Sequence, residues 1–156
     1  MLFRSGGNQV NLWRTLTIEE WRFVFNTRST SSGIRYAKAR VNNIDGVILL
    51  PDNWNSSYYN LNYTNTSSAS FNSNVINSST WLNSLQAHGA VFLPAAGYRV
   101  GTNWVNNSSY GVYWTASYAN SDVARSIFFK DAQVFLDNFS ITRWHGFSVR
   151  LVCPAE

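Results

Sequence analysis

Between Tyr110 and Val152 the chain sets rings, hydroxyls, cations and carboxylates among short apolar runs. In Ala124-Arg125-Ser126-Ile127-Phe128-Phe129-Lys130, successive side chains of an extended strand point to opposite faces. Ile127 and Phe129 therefore take one side, read as core, and Ser126, Phe128 and Lys130 take the other. Tyr118, Asn120, Asp122, Trp144 and His145 fall in the neighbouring turns. Tyr and Trp give wide contact at low entropy cost, and polar groups beside them set orientation and selectivity. That is the chemistry of a recognition surface, although an aromatic-rich core accounts for the same composition.

Catalytic and metal chemistry finds less support. His88 and His145 lack a Ser or Cys nucleophile motif, and no Gly-rich phosphate loop or facing carboxylate pair is present. Asp122, Asp131 and Asp137 do not have the spacing of an EF-hand. Cys153 is the single cysteine, so neither an internal disulfide nor zinc spacing exists. The expectation is a non-enzyme with no catalytic residues, no metal and no cofactor. The net charge is +4, but seven of the twelve basic residues are spread singly between Arg4 and Arg40, so nucleic acid is not expected as a partner. No apolar run reaches the ~20 residues of a membrane span, and no signal peptide is evident near Met1. A phage particle, the cell interior and a fragment of a cell-surface protein all remain open as locations, as does the oligomeric state.

The length of 156 residues suits one domain. Thr17-Ile18-Glu19-Glu20 is a capping box, with Leu16 and Trp21 placed for a hydrophobic staple, and Trp21, Val24 and Phe25 share a helical face. Ile34 to Val41 alternates as a strand. Asp45-Gly46 reads as a tight turn before the apolar strand Val47-Ile48-Leu49-Leu50, which Pro51 stops. From Asn53 to Ser79, eighteen of twenty-seven residues are Asn, Ser or Thr and none is charged. This predicts a long surface insertion, pinned by Tyr58, Tyr59, Leu61, Tyr63, Phe71 and Val75. Its sequons at Asn55, Asn62, Asn65 and Asn77 are attributed to composition. A second helix is expected from Ser79 or Thr80 to Ala87, with a hydroxyl cap, an apolar face of Trp81, Leu82 and Leu85, His88 as a C-terminal capping residue and Gly89 as the stop. Ala90 to Leu93 is a further strand, Trp104 lies in a polar loop, and a meander fills 110–152.

Leu12-Trp13-Arg14-Thr15-Leu16-Thr17, Gly46 to Trp54, Gly89 to Arg99, Tyr113-Trp114-Thr115-Ala116-Ser117 and Gly146 to Val152 together resemble the variable proteins of diversity-generating retroelements. These form a bacterial and phage branch of the C-type lectin fold related to formylglycine-generating enzyme. The resemblance implies an α+β domain of C-type lectin fold, with two helices packed on twisted antiparallel sheets and 53–79 as an insertion. It further implies that an error-prone reverse transcriptase, copying a template rich in asparagine codons and altering its adenines, diversifies the C-terminal face.

Trp114, Ala124, Ile127, Phe129, Val134, Arg143, Gly146 and a strand from Phe147 to Val152 would be framework. Tyr118, Asn120, Asp122, Arg125, Ser126, Phe128, Lys130, Asp131, Gln133, Phe135, Asp137, Asn138, Trp144 and His145 would be the variable ligand-binding positions. The ligand would be a protein or glycan on a cell surface. A carbohydrate-binding lectin and a structural adhesin or virion module are the rivals. The Glu-Pro-Asn and Trp-Asn-Asp signatures of calcium-dependent sugar binding are absent, and a lone Cys153 does not suit formylglycine-generating chemistry.

Overall fold

The computed structural model describes residues 13–105 and 108–153, leaving aside the side chains of 137–139. It is a mixed α+β structure. A four-stranded sheet is central, in the order β4 (Val75–Ile76), β2 (Tyr36–Val41), β3 (Ile44–Leu49), β5 (Val91–Pro94). Because strand side chains alternate, its two faces feed two separate cores. Tyr36, Val47 and Leu93 pack with Ile18, Trp21 and Phe25 of the first helix and with Tyr113, Ile127 and Phe129 of the meander. Ala37, Ala39, Val41 and Ile48 pack on the opposite side with Trp54, Leu61, Ile76 and Leu85. A strand buried on both faces needs apolar side chains at successive positions, as Val47, Ile48 and Leu49 of β3 provide.

The first helix, α1 (Ile18–Arg22), continues into a π-helical turn over Phe23–Thr27. Its capping box forms as the spacing predicts: Thr17 accepts from the Glu20 amide, and the Glu20 carboxylate accepts from the Thr17 amide. Arg14 also bonds both Glu20 carboxylate oxygens. The second helix begins at α2 (Ser78–Thr80) and runs on through Trp81–Leu85 and Gln86–His88. Its cap is the Asn77 side chain rather than a hydroxyl, since a planar amide oxygen reaches the Thr80 amide at 2.8 Å. Gly89 ends it with φ +85°, a left-handed conformation open to glycine.

Three other expectations are corrected. The turn between β2 and β3 is Asn42-Asn43, both at positive φ, while Asp45 and Gly46 lie inside β3. Asn tolerates the left-handed region that such a two-residue hairpin demands. Leu82 faces solvent, as do Tyr58, Tyr63 and Val75; of the expected pins Leu61 and Phe71 are buried and Tyr59 packs against the second core, and Trp54, Ala69 and Ile76 join them. The strand expected from Phe147 to Val152 shrinks to β12 (Leu151–Val152), which pairs with β1 (Arg14–Thr15), because Phe147 and Ser148 instead lie along β8 (Gly111–Tyr118).

The meander is an antiparallel sheet in the order β10 (Gln133–Thr142), β9 (Val123–Lys130), β8. It is tied to the central sheet by Lys38, whose side chain is fully buried and whose ammonium donates to the carbonyls of Ser67 (2.8 Å), Lys130 (2.7 Å) and Gln133 (3.0 Å). Burial lowers the Lys38 pKa to about 8, against the pull of Asp131.

Lys38→Met should leave three carbonyls without their donor and cost about 3 kcal/mol in denaturant unfolding. The folded pKa lies below the unfolded value, so between pH about 8 and pH about 10.4 the unfolded chain binds more protons and stability rises with pH. The unfolding-midpoint gap between wild type and Lys38→Met should therefore widen across that window. Glu20 follows the same sign in a lower pH window. The Arg14 hydrogen bond holds its carboxyl at about 2, so its contribution is present above the unfolded pKa and is lost as pH falls from about 4.3 through about 2. The pair is partly solvent-screened, so Glu20→Gln should cost about 1 kcal/mol at neutral pH and flatten the acid limb of a stability–pH curve.

Candidate functional site

The β8–β9 connection is shaped by one side chain. Asn120 Oδ1 accepts from the amides of Asp122 (3.0 Å) and Val123 (2.9 Å), the local Asx bonding that favours Asn in turns. The turn between β10 and β11 (His145–Gly146) docks against it, with the Arg143 amide donating to the Asp122 carbonyl at 2.9 Å and its guanidinium to the Asn120 carbonyl at 3.2 Å. Trp144 follows, 64% exposed, its ring stacked on His145 at 4.0 Å. The His145 ring is fixed by Thr142, with Nδ1 3.1 Å from both the hydroxyl and the carbonyl. Tyr118 stands at the end of β8, 71% exposed. Tyr118, Asn120, Asp122, Trp144 and His145 thus gather at one rim of the meander.

A second group lies at the opposite rim. β9 has eight residues, which at ~3.3 Å rise puts its two ends roughly 25 Å apart. Lys130 sits over the Tyr110 ring at 5.6 Å, and Phe135 is 42% exposed. Gln133 is exposed beside them. Asp131 is exposed, yet its carboxylate accepts from the Phe71 amide at 2.9 Å and so anchors the insertion.

The alternation along β9 holds, but its consequence for burial differs from expectation. Ile127 and Phe129 enter the core, while Ser126 and Phe128 on the other face are also buried. Phe128 is enclosed by the rings of Tyr110 at 5.0 Å and Phe135 at 5.5 Å. Arg125 is half-buried within β9. The side chains of Asp137 and Asn138 lie outside the described residues.

Between the rims runs a band of rings that the periodicity did not single out. Trp114 meets Phe147 at 4.4 Å, Phe147 meets Tyr98 at 5.5 Å, and Tyr98 meets His145 at 6.3 Å. Tyr98 belongs to a small sheet of β11 (His145–Gly146), β6 (Tyr98–Val100) and β7 (Asn103–Val105). The loop Gly101-Thr102 joins β6 to β7, with Gly101 at φ +59°. A two-residue loop opening with glycine is a hairpin signal, and it would have moved Trp104 from a loop onto a strand.

Elsewhere, His88 bonds the Ser84 carbonyl through Nδ1 at 3.0 Å and stacks on Tyr58 at 3.7 Å, the structural capping role its position suggested. Among the described residues no group of three or more His, Cys, Asp or Glu is placed to hold a metal ion, and no helix is long and apolar enough to cross a membrane. Comparison with protein-family models, with curated proteins and with solved structures returns no match.

Asn120→Ala removes two turn bonds from an exposed connection. It should lower stability by about 1 kcal/mol and speed amide exchange at Asp122 and Val123, while Asp122→Ala, whose side chain makes neither of these bonds, should do neither.

Proposed function

We propose that this chain is a ligand-recognition domain, not an enzyme, that its fold is of the C-type lectin kind, and that its recognition face is the rim built by Tyr118, Asp122, Trp144 and His145. One observation carries the reading. Two large rings, Tyr118 at the end of β8 and Trp144 in the turn after β10, stand mostly exposed beside backbone that Asn120 and Arg143 hold. Rigid, exposed aromatics flanked by adaptable polar groups are what binding anchors require. The partner is a protein or glycan on a cell surface, and retroelement diversification is the proposed source of variation at the exposed positions.

The positions divide on physical grounds. Ser126 and Phe128 are buried, Asn120 holds a turn and Asp131 holds the insertion, so variation there carries a stability cost. The genetic code divides them a second way. An asparagine codon altered only at its adenines keeps a pyrimidine third base, and no codon for Lys, Gln or Trp ends in a pyrimidine. Lys130, Gln133 and Trp144 therefore belong with the fixed positions under this mechanism, and Trp144 becomes a constant anchor beside variable neighbours.

Sequencing the surrounding genome tests this. The expected result is a reverse-transcriptase gene and an imperfect repeat of the gene's 3′ end, with mismatches at template adenines that include Tyr118, Asp122, Phe135 and His145 and spare Trp144, Lys130 and Gln133. Without such a repeat the diversification reading fails. Trp144→Ala should leave the melting temperature within about 2 °C, as for an exposed side chain, and abolish capture of the partner. A variant that unfolds would place Trp144 in the framework and remove it from the binding face.

A further inference from the structure

A second site lies on the other side of the small sheet from His145. Strand pairing aligns Gly146, Arg99 and Trp104 in one cross-strand row, so their side-chain positions share a face, while Tyr98 and His145 point the opposite way. This row lines a trough of about 210 Å³ that Ala96, Gly97, Tyr98, Phe147 and Ser148 complete.

Each wall has a defined chemical character. Trp104 is 56% exposed, yet its orientation is fixed, since Nε1 donates to the Ala96 carbonyl at 3.1 Å. The Arg99 guanidinium lies over this indole at 5.3 Å, within the reach of a cation–π contact. Among the described residues that ring is its sole partner, so its N–H edges remain available. The Ser148 backbone is committed to β8, while its hydroxyl makes no bond to any described residue. Gly146 forms the floor under Arg99, where an added Cβ would come within 3.1 Å of the Arg99 Cβ.

We infer that this trough binds one acidic sugar unit, a pyranose ring carrying a carboxylate. An apolar C–H face suits the fixed indole, a carboxylate suits the free guanidinium edge, and a ring hydroxyl suits Ser148. At about 210 Å³ the space is smaller than the roughly 300–1,000 Å³ of drug-sized sites, and it matches a single ring. A phosphate-rich ligand would call for more cations than the one guanidinium present. The site is separate from the Trp144 rim and does not depend on the partner proposed for it.

Isothermal titration of the full chain with tetragalacturonate, and with maltotetraose as the neutral control, tests the assignment. Tetragalacturonate should bind at least about tenfold more tightly than maltotetraose, and added salt should weaken only the acidic ligand. Arg99→Gln should lose about tenfold in affinity with an unchanged circular dichroism spectrum. Trp104→Ala should lose a similar amount, and Trp144→Ala should lose none. Equal affinity for the two saccharides, no heat with tetragalacturonate, or undiminished binding by Arg99→Gln would each overturn the inference. Loss through Trp144→Ala alone would move the sugar to the rim and overturn it equally.

Discussion

The buried ammonium of Lys38 is the constraint on which the arrangement of this molecule depends. A charge removed from water is tolerated only where polar atoms replace its hydration, and here three carbonyls do so, from the insertion and from both sides of the β9–β10 turn. One side chain of the central sheet thereby fixes where the meander docks. Apolar packing alone would permit sliding along the interface, because dispersion and hydrophobic contacts carry little directional preference. Three directed bonds to one nitrogen do not permit it.

The same device explains how an Asn- and Ser-rich insertion comes to be ordered. Buried Asn74 donates to the carbonyls of Lys38 (2.8 Å) and Asn62 (3.0 Å), accepts from the Asn62 amide, and offers its own carbonyl to the Arg40 amide. Asn65 accepts from the Arg35 amide and donates to the Gly33 carbonyl. The Ala132 amide donates to the Ala69 carbonyl. Asn55, Asn62, Asn65 and Asn77, the four sequon asparagines of the insertion, are thus all engaged in holding backbone. The segment holds its course by saturating backbone groups of its neighbours as well as by burying Leu61 and Phe71.

For the proposed recognition surface the result is rigidity with two separated rims. The long outer strand β10 is guarded as edge strands must be, by a register shift between Phe135 and Phe139 and by Arg22, whose Nε donates to the Leu136 carbonyl at 3.2 Å. The rings between the rims pack on one another, so the exposed aromatics stand at the ends of a stiff sheet.

Much of the local chemistry was readable where it depended on near neighbours. The capping box at Thr17, the core stripe of Trp21 and Phe25, the buried strand through Val47 and Ile48, the alternation of Ile127 and Phe129 and the Gly89 stop all follow from spacing of a few residues. The Asn42-Asn43 turn is also local, but Asp45-Gly46 beside it is the commoner hairpin pair and masks it. What the sequence could not determine was which half-polar face is covered. Ser126 and Phe128 are buried by Tyr110, Phe135 and their surroundings, and Lys38 is buried by segments 29 to 95 positions away. Such burial depends on long-range docking, and periodicity along one strand carries no information about what approaches it from elsewhere in the chain.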